Sequence, residues 1–224
     1  MSVREAAVVA AVCALAAGCA TTQRFPAPEP YAVEGAAAEA PARFAARVAP
    51  RFEQVNAVVF RYRWRAITAL GMVAVDLPER SLAVTCLTPL GVKLFDVVCR
   101  GGRMERRFVL PELERRGGDL AQAAGADLAH AYFDWAPPAG APVSLRRGRL
   151  VAEARDAAGV TEYCYAWRDG RLAEKRRVEN GRPVWTVSYR LYAACEEGLA
   201  PSALIIDNHT YGYRLEVTLR GEAK

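Results

Sequence analysis

The sequence predicts a mainly β protein, a curved antiparallel half-barrel with one or two short helices as a lid. Three observations carry this. Apolar and polar residues alternate with period 2 through most of the chain. Pairs such as Asn-Gly and Asp-Gly, which accept positive φ, separate the alternating stretches. One Ala- and Leu-rich stretch, "GGDLAQAAGADLAHAYFDW", breaks the alternation with helical spacing. A sheet of about nine to eleven strands should curl toward a barrel rather than stay flat.

The strand pattern is sharpest in "VVFRYRWR", where Val58, Phe60, Tyr62 and Trp64 share one face and Arg61, Arg63 and Arg65 the other. Tyr163, Tyr165 and Trp167 separate in the same way, as do Trp185, Val187, Tyr189 and Leu191. So do Tyr213, Leu215, Val217 and Leu219. Weaker strands read over 68–77, 81–87, 92–99, 104–110, 150–154 and 172–178. Turns are expected at Gly101 and Gly102, at Asp169 and Gly170, and at Asn180 and Gly181. In the helical stretch Asp119 is a candidate N-cap, Leu120, Ala123, Ala124, Asp127 and Leu128 share a face, and Pro137 with Pro138 closes it.

The inward stripe of Phe60, Tyr62, Trp64, Tyr163, Tyr165, Trp167, Trp185, Tyr189 and Leu215 either fills a solid barrel or lines an apolar cavity. The strand count and the small residues from Ala121 to Ala131, suited to a loosely seated lid, favour the cavity.

The N-terminus carries one early basic residue, Arg4, then an uncharged apolar run from Ala6 to Ala17, the layout of a secretory signal. A membrane span needs about 20 apolar residues, so this run is short for one. It ends in "LAAG" and then Cys19, which resembles the bacterial lipobox and makes Cys19 the expected site of lipid attachment. Ala20 behind it, in place of aspartate, implies sorting to the outer membrane by resemblance to other lipoproteins. The expected organisation is a signal peptide over 1–18, a lipid-anchored flexible stalk over 19–50 with a short helix near 40–48 as an option, and one domain over 51–224.

The formal net charge of +5 comes from arginines scattered over many segments, which read as solvated faces or contacts to anionic headgroups. A secreted, lipidated chain lies in the wrong compartment for nucleic acid. After Cys13 and Cys19, four cysteines remain: Cys86, Cys99, Cys164 and Cys195. Cys86 with Cys99 and Cys164 with Cys195 is the preferred pairing, with buried free thiols as the alternative. Catalysis has little support. His130 is expected as a cationic ring at a helix end, and Asp207 beside His209 reads as turn chemistry. An Asp96 and Asp134 pair has nothing to fix its spacing, and no G-x-S-x-G elbow occurs. No cofactor is expected.

The remaining oddity is "LTPLGVKLF", which puts Leu90 between a proline and a glycine at a turn. Pro89 suits the second position of a type I or II turn and Gly91 the last of type I. Primed turns are what tight hairpins prefer, so this loop should splay or be longer than two residues, with Leu90 either projecting or folded back onto the barrel rim. The order of lipobox, stalk, aromatic strand pair, "TPLG" turn, mid-chain helix and closing "GYRLEVTL" resembles the LolB family and its LolB-like relatives. That resemblance implies an open barrel that holds acyl chains of lipoprotein or lipid-like cargo and delivers them to the membrane, as a monomer on the periplasmic face of the outer membrane. A LolA-like periplasmic carrier would be the donor, and Leu90 would be the residue that enters the bilayer. The rival is a solid barrel acting as an interaction protein for an export or assembly system.

Overall fold

Inward and outward side chains separate along the strands of one antiparallel sheet. The computed structural model describes residues 39–63, 65–111, 120–146 and 148–220. Among these, twelve strands lie in the order β5-β4-β3-β2-β1-β12-β11-β10-β9-β8-β7-β6. They are β1 (Arg51–Tyr62), β2 (Arg65–Asp76), β3 (Ser81–Leu87), β4 (Lys93–Arg100), β5 (Arg103–Val109) and β6 (Val143–Arg146). The second half is β7 (Arg149–Arg155), β8 (Val160–Ala166), β9 (Leu172–Glu179), β10 (Arg182–Cys195), β11 (Gly198–Asn208) and β12 (Tyr213–Leu219). The helices are α1 (Ala40–Ala45) and α2 (Leu120–Tyr132).

Sequence neighbours pair throughout, and β1 also pairs with β12, so the only long connection joins the two sheet edges, β5 and β6. That connection carries α2 across the concave face. Its buried residues Ala124, Asp127, Leu128, Ala131 and Tyr132 follow the helical spacing of the sequence. Gly125 sets how closely it lies on the sheet: a Cβ there would stand 3.1 Å from Met104 Sδ and 3.2 Å from Val97 Cγ2. Asp119 lies outside the described residues.

Twelve strands replace the nine to eleven expected. The additional ones are β6, four residues long, and β11, buried on both faces along much of its length. The segment before β1 also belongs to the body. Phe44 of α1 packs edge-on against Trp135, Tyr165 and Tyr192, and Ala49 N–H donates to Leu199 O at 2.9 Å.

The preferred disulfides do not form; all four cysteines are free thiols, three of them buried. Register explains why. Cys99 stands opposite Leu82, four residues from Cys86, or about 13 Å along the strand. Cys164 stands opposite Glu174, which stands opposite Ser188, seven residues short of Cys195. A bridge needs Cα atoms within about 7 Å.

Candidate functional site

Strand directions put Arg63 and the 88–92, 156–159, 180–181 and 209–212 connections on one rim, and the 77–80, 101–102 and 195–198 connections on the other. The first rim carries Leu90. Gly91 N–H donates to Thr88 O at 2.9 Å and Thr88 N–H to Val92 O at 2.8 Å, while Thr88 Oγ1 accepts from Val92 N–H at 3.1 Å. Gly91 sits at φ +84°, so the loop is longer than two residues, closed by its own backbone, and it holds Leu90 at 92 % exposure.

α2 divides the concave face into two unlike openings. On the β1–β4 side, between the sheet and Ala124 and Leu128 of α2, lies an apolar slot. Val58 and Phe60 line it from β1, Ile67, Ala69, Gly71 and Val73 from β2, and Leu215 and Val217 from β12. Leu94, Phe95 and Val109 close its side, and Cys86 supplies the one polar-capable atom, a thiol that burial pushes up to about 12 and so keeps neutral. Exposure falls from 38 % at Ile67 to 3 % at Ala69 and 4 % at Val73, so the mouth is at the Leu90 rim. The slot has about 910 Å3 of space between atoms, including open solvent at the mouth, but is narrow: about 90 Å3 can take the centre of a water molecule. From Ile67 to Val73 it runs about 20 Å, comparable with the hydrocarbon depth of one leaflet, about 15 Å.

On the other side of α2 a wider polar cleft is lined by His130, Asp127, Lys175, Arg177, Tyr163 and Trp185, among others. His130 stacks on Trp185 with centroids 4.6 Å apart and planes at 14°. Solvent in the cleft reaches the ring. Crowding by protein atoms, and then the charge of Lys175, still lower its pKa, so it is a neutral ring and not the cation expected from the helix dipole. Arg177 is neutralised by Asp156, with Nη1 2.8 Å from Oδ2, and by Glu179.

Polar groups beneath the helix fix it in place, so α2 is pinned rather than loosely seated. Asn208 Nδ2 donates to Asp127 Oδ2 at 2.8 Å and the Tyr213 hydroxyl donates to the same oxygen. Tyr189 OH donates to Ala131 O at 2.7 Å, Lys175 Nζ to Phe133 O at 2.7 Å, and Tyr165 OH to Trp135 O at 3.0 Å.

The aromatic stripe therefore does not line one cavity. Phe60 and Leu215 face the apolar slot. Tyr62 stacks beside Phe60 at 6.5 Å, toward the rim. Tyr163 and Trp185 border the polar cleft. Tyr165 and Tyr189 are buried in the filled part of the core, bordering neither opening, and Trp167 packs against that core. Trp64 and Cys19 lie outside the described residues. The carboxylates considered as a pair are apart: Asp96 binds Lys93 at 3.1 Å and Asp134 binds Arg80 at 2.9 Å, toward opposite rims. Asp207 binds Arg214 at 2.6 Å, and His209 Nε2 lies 3.0 Å from Thr186 Oγ1. Sequence reasoning passed over most of the slot, including Gly71, a glycine inside a strand and thus a signal for close approach. A Cβ there would stand 2.9 Å from Val58 Cγ2.

Residues 60–220 match the model of the family described as Protein of unknown function (DUF3261). The chain belongs to the DUF3261 family. No curated protein sequence matches it. Two solved structures share the DUF3261 chain's fold. One, a LolA superfamily protein from Nitrosomonas europaea, has a TM-score of 0.51 at 12 % identity, over 84 % of this chain and 93 % of that one. The other, a putative outer membrane lipoprotein-sorting protein domain from Vibrio parahaemolyticus, has a TM-score of 0.50 at 11 % identity, over 82 % and 90 %. The half-barrel expected from the sequence is thus the fold of this DUF3261 chain, an open curved sheet of the LolA/LolB type. No helix among the described residues is long and apolar enough to cross a membrane.

Proposed function

We propose that the protein is an outer-membrane lipoprotein, anchored through Cys19 on the periplasmic face. It takes up acyl chains of lipoprotein or lipid-like cargo in the apolar slot and assists their delivery to the bilayer through Leu90. The observation that carries this reading is the slot itself: a lining of hydrocarbon and one neutral thiol, open at the rim that holds Leu90 in solvent. Acyl chains demand apolar area and no hydrogen bonds, which suits this lining and not the polar cleft across α2. Fold-level similarity to a lipoprotein-sorting domain agrees with it. A LolA-like carrier would be the donor, and cargo would move by relative affinity. A leucine side chain entering hydrocarbon contributes about 1.5–3 kcal/mol, enough to orient a tethered domain but not to anchor one.

The test is mass spectrometry of lipids that co-purify with protein lacking residues 1 to 19, beside an Ala69→Trp variant that plugs the slot. Acyl lipids should accompany the first and not the second. Equal recovery with both, or with neither, would sink the carrier reading.

A further inference from the structure

Beside the inner half of the slot, β1 turns from hydrocarbon to amide side chains. Gly71 and Val73, which line it, stand opposite Asn56 and Gln54 of β1, and cross-strand partners present their side chains to the same face. Both polar residues are buried, Asn56 with 1 % exposure. Gln54 Nε2 donates to Pro201 O at 3.1 Å, which fixes the amide and leaves Oε1 as an acceptor. Neither Gln54 Oε1 nor Asn56 Nδ2 has a hydrogen-bond partner among the described residues. A buried polar atom left so is destabilising, and two on one strand face need a reason. They are two residues apart, about 7 Å along β1, within reach of a single group between them.

We infer that the slot is built for an apolar chain that carries a hydroxyl group at its buried end. This rests on the reading of the slot as a lipid site and narrows its substrate class. A hydroxyl is the smallest group that both accepts, from Asn56 Nδ2, and donates, to Gln54 Oε1. A carbonyl or ether satisfies only Asn56, and a plain methyl end satisfies neither. From the mouth at Ile67 to the level of Asn56, opposite Gly71, the path is about 13 Å, so the hydroxyl belongs at the far end of the chain, remote from any headgroup held at the membrane.

The experiment uses the full lipidated chain in phospholipid nanodiscs and measures displacement of a fluorescent fatty acid by hexadecanoic acid and by 16-hydroxyhexadecanoic acid. The hydroxy acid should compete about tenfold better, the scale of one well-made buried hydrogen bond. In Asn56→Leu with Gln54→Met the ratio between the two acids should fall to about one, with thermal melts reporting folding. Equal competition by the two acids against wild-type protein overturns the inference but leaves the slot a tail site, its orphaned amides then belonging to bound water. Competition by neither acid overturns both readings. Preference retained in the double variant places the hydroxyl elsewhere and also refutes the assignment.

Discussion

Asn208 on β11 donates through Nδ2 to Asp127 on α2 at 2.8 Å, and the carboxylate they share with Tyr213 is the polar tie that holds the helix on the concave face. Burial raises the Asp127 pKa, and the bonds from Tyr213 and Asn208 oppose that shift. Without Asn208 the carboxylate keeps one neutral donor in a buried place. Asn208→Ala should therefore lower stability by about 1–3 kcal/mol, read as a reduced urea midpoint at unchanged slope. It should also loosen the wall between the slot and the polar cleft, seen as faster amide exchange in α2 than in β1. An unchanged midpoint would mean that packing alone seats the helix.

Lys175 gives the protein a second, pH-dependent clamp. The residue is 2 % exposed and its Nζ donates to the carbonyls of Phe133 and Asp134. Burial lowers its pKa to about 7, with Asp134 opposing and Arg80 assisting the shift. Between that value and the unfolded lysine value of about 10.4, the unfolded chain binds more protons, so stability rises with pH in this window and is lost as pH falls toward 7. Wild-type protein should gain stability from pH 7 to 9 relative to Lys175→Met, whose profile should be flatter. Parallel profiles would remove Lys175 as the cause.

Much of this arrangement was legible in the sequence where local rules decide it. Phe60 and Tyr62 alternate inward as their spacing predicts, opposite Leu215 and Tyr213. Asn180 and Gly181 take φ of 50° and 73°, as their turn requires. β11 escaped because its run "GLAPSALIIDN" has no exposed face, so its sequence shows no clean alternation of apolar and polar residues, and because Pro201 sits inside it, next to a register shift. The site was less legible. An inward Tyr163, an inward Tyr165 and an inward Phe60 look alike in sequence, and only the path of α2 between the sheet edges decides which meets a polar cleft, a filled core or an apolar slot.

Leu90 offers a separation of folding from delivery. At 92 % exposure its side chain contributes little to the body, so Leu90→Glu should change stability by no more than about 0.5 kcal/mol. Uptake of a fluorescent fatty acid should be unaffected, and transfer from protein to vesicles should fall sharply. Transfer at the wild-type rate would end the role assigned to this loop.

The described chain begins at α1, on the rim opposite the mouth, so the proposed anchor at Cys19 sets a minimum length for the residues before α1. β1 starts at Arg51 on the far rim, beside α1, and runs 12 residues toward the Leu90 rim, about 40 Å. For an acylated Cys19 and Leu90 to meet one bilayer, the chain before α1 must cover that length. The 20 residues from 20 to 39 can span at most about 70 Å, which suffices. Deleting 12 of them leaves a reach of about 28 Å, which does not. Such a deletion should preserve membrane association, folding and tail binding yet abolish delivery, and a Gly/Ser replacement of the original length should restore it, since only reach is required. Delivery that survives the deletion would mean that the slot empties without its mouth facing the membrane.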